Sequence, residues 1–475
     1  MRPAALLLAL APVAAFGQQI DRTQVPALEK PPALKLPTLE RASLPNGVTL
    51  QLVQQHELPL VQVTLVIAGG TKLDARQPGL ASFTTRMLTE GAGTRDANAL
   101  QGELAFLGAQ LFASAASDAF TISLNVPKRT LGEALDLLGD VVLRPTFRAA
   151  DVRRQRDLRL ASILQRRDNA NVLASLAFSQ AVFPAGHPYH QPTDGDSAST
   201  ASLDSATVRA FYAQTFVPER AKFIIVGDVT VPEMRGLLAR RFESWPRGTT
   251  ARTMAAVTAR PVANSAVKIY LVDKPNAAQS VIYLGAPGAE RLSPDYPALM
   301  VMNTILGGSF SSRLMSNLRE TKGYTYGITS RFSWAPLAGP FVISSSVRTG
   351  VTDSALVEVF KEVKMLRDLP VDATELERAK AYVALGVPQR FETIGQIAAQ
   401  LVDLGTFSLP LASLGDFVAK VNQVTAADVQ RVARQYLPAE TATLVVVGDI
   451  AKIRAGIEAL KLGSISVLDV QQVAR

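Results

Sequence analysis

The chain has 475 residues, 48% of them hydrophobic and 19% charged. That is longer than the about 100 to 200 residues of a usual domain and too apolar for a disordered polymer, so more than one folded core is expected. Without a single cysteine it has neither disulfide staples nor thiol catalysis, and the formal net charge of +8 is scattered, which argues against a nucleic-acid track.

The first residues, MRPAALLLALAPVAAFGQQ, place Arg2 before an apolar run over residues 4 to 16 and end in the small residues Ala15 and Gly17. This is the layout of a secretory signal at 1–17, cleaved after Gly17. It is shorter than the roughly 17 to 25 apolar residues of a membrane anchor. The protein is therefore expected to be exported to the periplasm, or secreted where there is no outer membrane. Residues 18–40 read as an N-terminal extension, and no later run is long enough to span a bilayer.

His56, alone after a strand in QLVQQHELP, reads as an exposed loop residue. Next comes GLASFTTRMLTEGAG, residues 79 to 93, a short helix with an apolar stripe on Leu80, Phe83, Met87 and Leu88. Its other face carries Ser82, Thr85 and Arg86. Side chains three and four apart share a helix face, so two ligands and a base could gather around a metal at this spacing. None of these three holds zinc well.

The densest basic run, DVRRQRDLRLASILQRRD at 151 to 168, mixes in three aspartates at helical spacing and reads as a solvated helix face. His187 and His190 follow in FPAGHPYHQP. Flanking prolines make this pair a turn rather than a metal site, and no acidic third ligand is placed beside it.

An internal repeat organises the chain. FVPERAKFIIVGDVT (216 to 230) is echoed by YLPAETATLVVVGDI (436 to 450), and VTLVIAGG (63 to 70) by VIYLGAPG (281 to 288). Two copies at so long a period mark a duplicated domain, with halves at 41–250 and 267–475 joined by a linker at 251–266. Each half reads as a strand pair, a helix, more strands, two or three long helices and a last strand. The fold class is α+β, with helices packed over one face of a sheet in each half.

The second half contains GGSFSSRLMSNLRETKGYTYGITSRFSW, 307 to 334. It lacks the lysine and spacing of a phosphate loop, and the chain has no Gly-x-Ser-x-Gly elbow. Ser311 or Ser312 can cap a helix with Leu314 and Leu318 on its apolar side, and Gly323 ends it. Arg319 then stands in the last helical turn and Tyr326 at the start of a strand, so the two can converge. The plain alternative is an arginine favoured by the helix dipole and a half-buried sheet tyrosine.

These motifs resemble the pitrilysin/insulinase family, the inverted-zincin metallopeptidases that include mitochondrial processing peptidase and its bacterial relatives. The resemblance covers about residues 41 to 460 and implies two similar α/β-roll halves in a clamshell. GLASFTTRM is similar to the family's G-L-A-H-F-L-E-H-M at Gly79, Leu80, Ala81, Phe83 and Met87, but Ser82, Thr85 and Arg86 replace His, Glu and His. The third ligand, a glutamate on a later helix, falls near Ser162. Hence no metal is expected in this chain. SSRLMSNLRETKGYTY keeps the other signature, S-S-R-L-x-x-x-L-R-E-x-x-G with a tyrosine seven residues after the later arginine. The resemblance assigns substrate binding and stabilisation of the carbonyl oxygen to Arg319 and Tyr326.

The expected function is the non-zinc subunit of an exported heterodimeric metallopeptidase acting on unfolded peptides, inactive alone. The zinc is expected in a homologous partner bearing H-x-x-E-H. The alternative is a catalytically silent structural or peptide-binding member, and a weaker third reading is a stand-alone enzyme with an unrecognised site.

Overall fold

The computed structural model describes residues 35–74, 77–248, 260–262 and 264–475. The expected signal at 1–17, most of the 18–40 extension and most of the 251–266 linker lie outside the described residues. Residues Leu36–Arg475 form one compact unit. Among the described residues no helix is long and apolar enough to cross a membrane.

The first half opens with strands β1 (Glu40–Ser43), β2 (Thr49–Gln54) and β3 (Leu60–Ala68), then helix α1 (Leu80–Met87) and a short pair, β4 (Gly91–Ala92) and β5 (Arg95–Asp96). Helix α2 (Ala97–Phe106) and strands β6 (Gln110–Ala115) and β7 (Ala119–Pro127) follow. Then come α3 (Leu131–Leu143), α4 (Ala149–Gln165), α5 (Ala170–Val182), α6 (Ser197–Ala201), α7 (Ser205–Thr215), β8 (Ala221–Gly227) and α8 (Val231–Phe242).

The second half repeats the plan with β9 (Val267–Asp273), β10 (Gln279–Pro287), α9 (Tyr296–Asn303), β11 (Thr325–Phe332) and β12 (Pro340–Arg348). Its helices are α10 (Thr352–Asp368), α11 (Ala373–Leu385), α12 (Ile394–Thr406), α13 (Ser413–Gln423) and α14 (Ala426–Tyr436). Strand β13 (Thr443–Gly448), α15 (Ile450–Ala459), β14 (Gly463–Leu468) and α16 (Val470–Val473) complete it.

Among the described residues, twelve of these strands make two six-stranded sheets, β1-β2-β8-β3-β7-β6 and β11-β12-β10-β13-β9-β14. The repeated stretches occupy equivalent places. β8 lies parallel to β2 and antiparallel to β3, as β13 lies parallel to β9 and antiparallel to β10. Only the edge differs: β1 is an antiparallel hairpin partner of β2, whereas β14 arrives from the far end of the chain and lies parallel to β9.

One face of the first sheet carries the half's main core. Leu50, Leu52, Val63, Leu65, Phe223 and Ile225 pack there with Leu80, Phe83 and Met87 of α1 and with Leu138, Phe211 and Leu238 of α3, α7 and α8. The opposite face, which the sequence pattern leaves without a helix, is covered in part by the other half. Ile397, Ala398 and Leu401 of α12 pack on Val53, Val66, Ile224 and Val226.

The exchange is reciprocal. Leu173, Ala177 and Phe178 of α5, from the first half, pack on Val281, Val342, Val445 and Val447 of the second sheet. Burial on both faces fits β13, apolar from Leu444 to Val447, and β3, which is buried from Val61 to Ile67 even at its polar residues Gln62 and Thr64. Gly285 permits the fit, since a Cβ there would lie 2.9 Å from Phe178 Cζ and 1.9 Å from the Phe341 carbonyl oxygen.

Candidate functional site

Helix α1 is set by its entry turn. Asp74 accepts hydrogen bonds from the backbone N–H of Gly79 at 2.9 Å and of Ala81 at 2.6 Å, satisfying donors that a helix start leaves open. Gly79 has φ +86°, and a Cβ there would lie 2.7 Å from the Asp194 carbonyl oxygen, so only glycine fits. The apolar stripe faces the core, and Ser82, Thr85 and Arg86 are left to define what the polar positions do.

Each of those three is already engaged. Thr85 is buried and donates to the Ala81 carbonyl at 2.8 Å. Arg86 lies 3.3 Å from Glu90, a buried carboxylate that also takes a 2.6 Å bond from Arg154 of α4. The Ser82 hydroxyl donates to the Gly79 carbonyl at 3.1 Å and receives Arg159 Nη1 at 3.0 Å.

Arg159 also bonds the Gly79 carbonyl at 2.9 Å, and its guanidinium carbon lies 4.9 Å over the Phe83 ring. Burial lowers its pKa to about 10, against the opposing pull of Asp194 and Asp74. It therefore stays charged near neutral pH. Ser162, three residues further along α4, is exposed and lines a groove with Gln165, Asn169 and Asp194.

The α4 side chain that meets Ser82 is thus Arg159, not Ser162. Nor is the basic run wholly solvated: Arg159 turns inward, and Arg166 is buried, bonding the Gly195 carbonyl at 2.8 Å and lying 3.0 Å from Asp194. Two hydroxyls and a guanidinium do not make a zinc set, because zinc takes imidazole, thiolate or carboxylate donors. The residues present do not fit the family's metal. Among the described residues no group of three or more His, Asp or Glu could hold one.

The histidines have structural partners. His187 is buried against Phe183, with ring centroids 4.6 Å apart, and its Nδ1 accepts the Tyr189 N–H at 3.1 Å. Burial, aided by His190 and Lys72, lowers its pKa. His190 Nδ1 donates to the Phe183 carbonyl at 2.7 Å. His56 is exposed and pairs with Asp228 at 2.5 Å.

In the second half, the segment carrying Arg319 departs from the expected regular α-helix. Met315–Thr321 is π-helical, as is Thr304–Gly308 before it, a geometry frequent at functional sites. Neither serine supplies a side-chain cap at its start, and the buried Ser312 hydroxyl has no hydrogen-bond partner among the described residues. Gly323, at φ +62°, does end the segment; the Tyr324 N–H closes on the Leu318 carbonyl at 2.8 Å.

Neighbouring helices hold this wide turn. Arg313 pairs with Glu375 of α11 through two bonds of 2.9 and 2.6 Å, which raise its pKa against burial. Asn317 donates to Glu358 at 2.9 Å and Glu362 at 2.7 Å of α10. That bond, joined by Lys322, keeps the Glu358 carboxyl below its usual range.

Arg319 and Tyr326 come together. The guanidinium carbon lies 4.8 Å over the Tyr326 ring and 4.7 Å over the ring of Phe310, while Nε lies 3.1 Å from Glu320. Tyr326 is not half-buried but 86% exposed, and Phe310 is 64% exposed. A register shift between Thr325 and Ile328 marks a bulge at Tyr326, the device by which an edge strand re-aims a side chain. Phe310 was visible in the sequence only as the apolar residue of GGSFSSRL, and Arg159 only as one charge among many.

Comparison with known proteins gives a consistent lineage. The family model described as insulinase, peptidase family M16, matches residues 51–184, and that of the peptidase M16 inactive domain matches 202–383. An uncharacterized zinc protease of Mycobacterium leprae is 30% identical over 61% of this chain and 65% of its own length. A non-peptidase homolog of Helicobacter pylori, YmxG, is 25% identical over 75% of this chain and 82% of its own. The crystal structure of a peptidase M16 inactive domain from Pseudomonas fluorescens superposes with a TM-score of 0.79 at 28% identity, covering 86% of this chain and 98% of that one.

Proposed function

Because the chain belongs to the insulinase family, peptidase M16, and carries none of its zinc ligands, we propose that it is the non-zinc subunit of a heterodimeric metallopeptidase. Its partner is a homologous chain with H-x-x-E-H, and the pair cleaves unfolded peptides in the exported compartment to which the leader directs it. One observation carries this reading: a half-buried Arg319 is assembled against an exposed Tyr326, while the α1 positions are filled by Ser82, Thr85 and Arg86.

Peptide hydrolysis in such an enzyme needs a metal-activated water, a carboxylate base and donors aimed at the oxygen that becomes negative. This chain has only the donors, the Tyr326 phenol and the Arg319 guanidinium, which would bind the peptide and steady that oxygen. The name of the Helicobacter pylori relative, a non-peptidase homolog, favours a second reading, a catalytically silent member whose role is structural or peptide-binding.

Reconstitution tests both. This chain mixed with its zinc-bearing relative is expected to create or strongly raise peptidase activity. In that complex Tyr326→Phe should lower kcat by about 10² to 10³, the loss for one oxyanion donor. Activity of the zinc chain that stays unchanged at saturating amounts of this protein would leave the silent-member reading.

A further inference from the structure

We infer that Phe310 is a positioning residue for Arg319. Its ring joins that of Tyr326 in packing against the guanidinium, so that the Nη donors not taken by Glu320 are kept for the planar oxygens of a bound peptide. The inference rests on the reading that the Arg319/Tyr326 pair binds peptide, and adds how the arginine is kept ready for it.

The geometry requires a reason. Phe310 leaves 64% of its surface in water, beside a tyrosine that is 86% exposed, and such large aromatic exposure is not what core packing produces. The backbone that presents it is clamped. A Cβ on Gly307 would lie 2.6 Å from Ser330 N, and one on Gly308 would lie 2.6 Å from Asn303 Nδ2. Ser309 is tied to the Thr304 carbonyl at 3.1 Å, and Ser330 to Asn303 at 2.8 Å. The two glycines thus let the loop close on β11, and the first side chain free of that clamp is Phe310.

With centroids 4.7 and 4.8 Å from the guanidinium carbon, the two rings lie within the range of cation–π attraction. The pull opposing them is Glu320, 3.1 Å from Nε and itself 60% exposed. An exposed ion pair is weak; two rings outweigh it, whereas one ring alone roughly matches it. Glu320 already takes Nε, and removing Phe310 should let the remaining Nη donors turn onto the same carboxylate, where they are spent within the chain. A guanidinium held by its faces presents paired in-plane donors, which suits carbonyl or carboxylate oxygens.

Two measurements test this. In ¹H–¹⁵N spectra of the full chain, the Arg319 Nε–H resonance, assigned by its loss in Arg319→Lys, should show a ring-current shift that Phe310→Ala removes and Phe310→Tyr keeps. Binding of fluorescein-labelled β-casein, an unfolded polypeptide, should weaken about 2- to 5-fold in Phe310→Ala, the share of one exposed cation–π contact. It should be retained in Phe310→Tyr and partly regained when Glu320→Gln is added to Phe310→Ala. Unchanged binding and spectrum in Phe310→Ala, with binding lost in Arg319→Ala, would overturn the role of Phe310 and spare the peptide-binding reading. Casein binding unaffected by Arg319→Ala, or absent from the wild type, would overturn that reading, and the spectrum would still decide whether Phe310 orients Arg319. A Phe310→Tyr variant as weak as Phe310→Ala would show that stacking is not the cause.

Discussion

Arg159 holds a positive charge 3.0 Å from the Ser82 hydroxyl, so this α1–α4 contact is closed by a cation of the protein's own. Two unit charges about 4 Å apart repel by roughly 4 kcal/mol at the effective dielectric of a partly buried site. Restoring the motif alone should therefore fail. The variant Ser82→His/Thr85→Glu/Arg86→His is expected to retain no stoichiometric zinc after dialysis, whereas adding Arg159→Glu should give about one zinc per chain, because a carboxylate then replaces the guanidinium as third ligand. Equal zinc in the two variants, read by elemental analysis, would remove Arg159 from the account. The degenerate positions Ser82, Thr85 and Arg86 were legible because helical spacing fixes which side chains share a face. Arg159 was not, since periodicity assigns a face without saying which long charged side chain bends back from it.

At the scale of elements, α5 shows what the pattern leaves out. Its sequence ANVLASLAFSQAV announces burial, yet nothing local says that the sheet it covers lies in the other half. Phe178 is the probe. It is 1% exposed, meets Tyr283 with ring centroids 6.2 Å apart, and sits over Gly285. Phe178→Ala should cost about 3 to 5 kcal/mol, and hydrogen exchange should lose protection in β10 and β13 at least as much as in the first sheet. Loss confined to the first half would contradict the packing. The segment carrying Arg319 was legible in its ends but not its pitch. Gly323 stops it as the sequence suggests, while the π-helical turn depends on Arg313 and Asn317 finding carboxylates on α10 and α11, contacts about 40 to 60 residues away that no window of sequence contains.

For the whole molecule, the duplication was readable because β8 and β13 are equivalent central strands and kept their Val-Gly-Asp ends. The reciprocal placing of α5 and α12 adds a mechanical expectation. A chain cut at a protease site engineered into residues 251–259 should elute as one particle and unfold in one transition, since each fragment covers an apolar face of the other. Fragments that separate on a sizing column without denaturant, or that melt independently, would show the halves to be self-sufficient. The same reciprocity bears on how such a chain is inherited. A gene broken between the halves would yield two products needed in equal amounts, each with an apolar sheet face uncovered until its counterpart's helix arrives, whereas a single reading frame fixes that ratio at translation. The fold thus depends on the apolar faces of α5 and α12, whereas Ser82 and Arg86 can change what α1 offers chemically while Leu80, Phe83 and Met87 keep it packed.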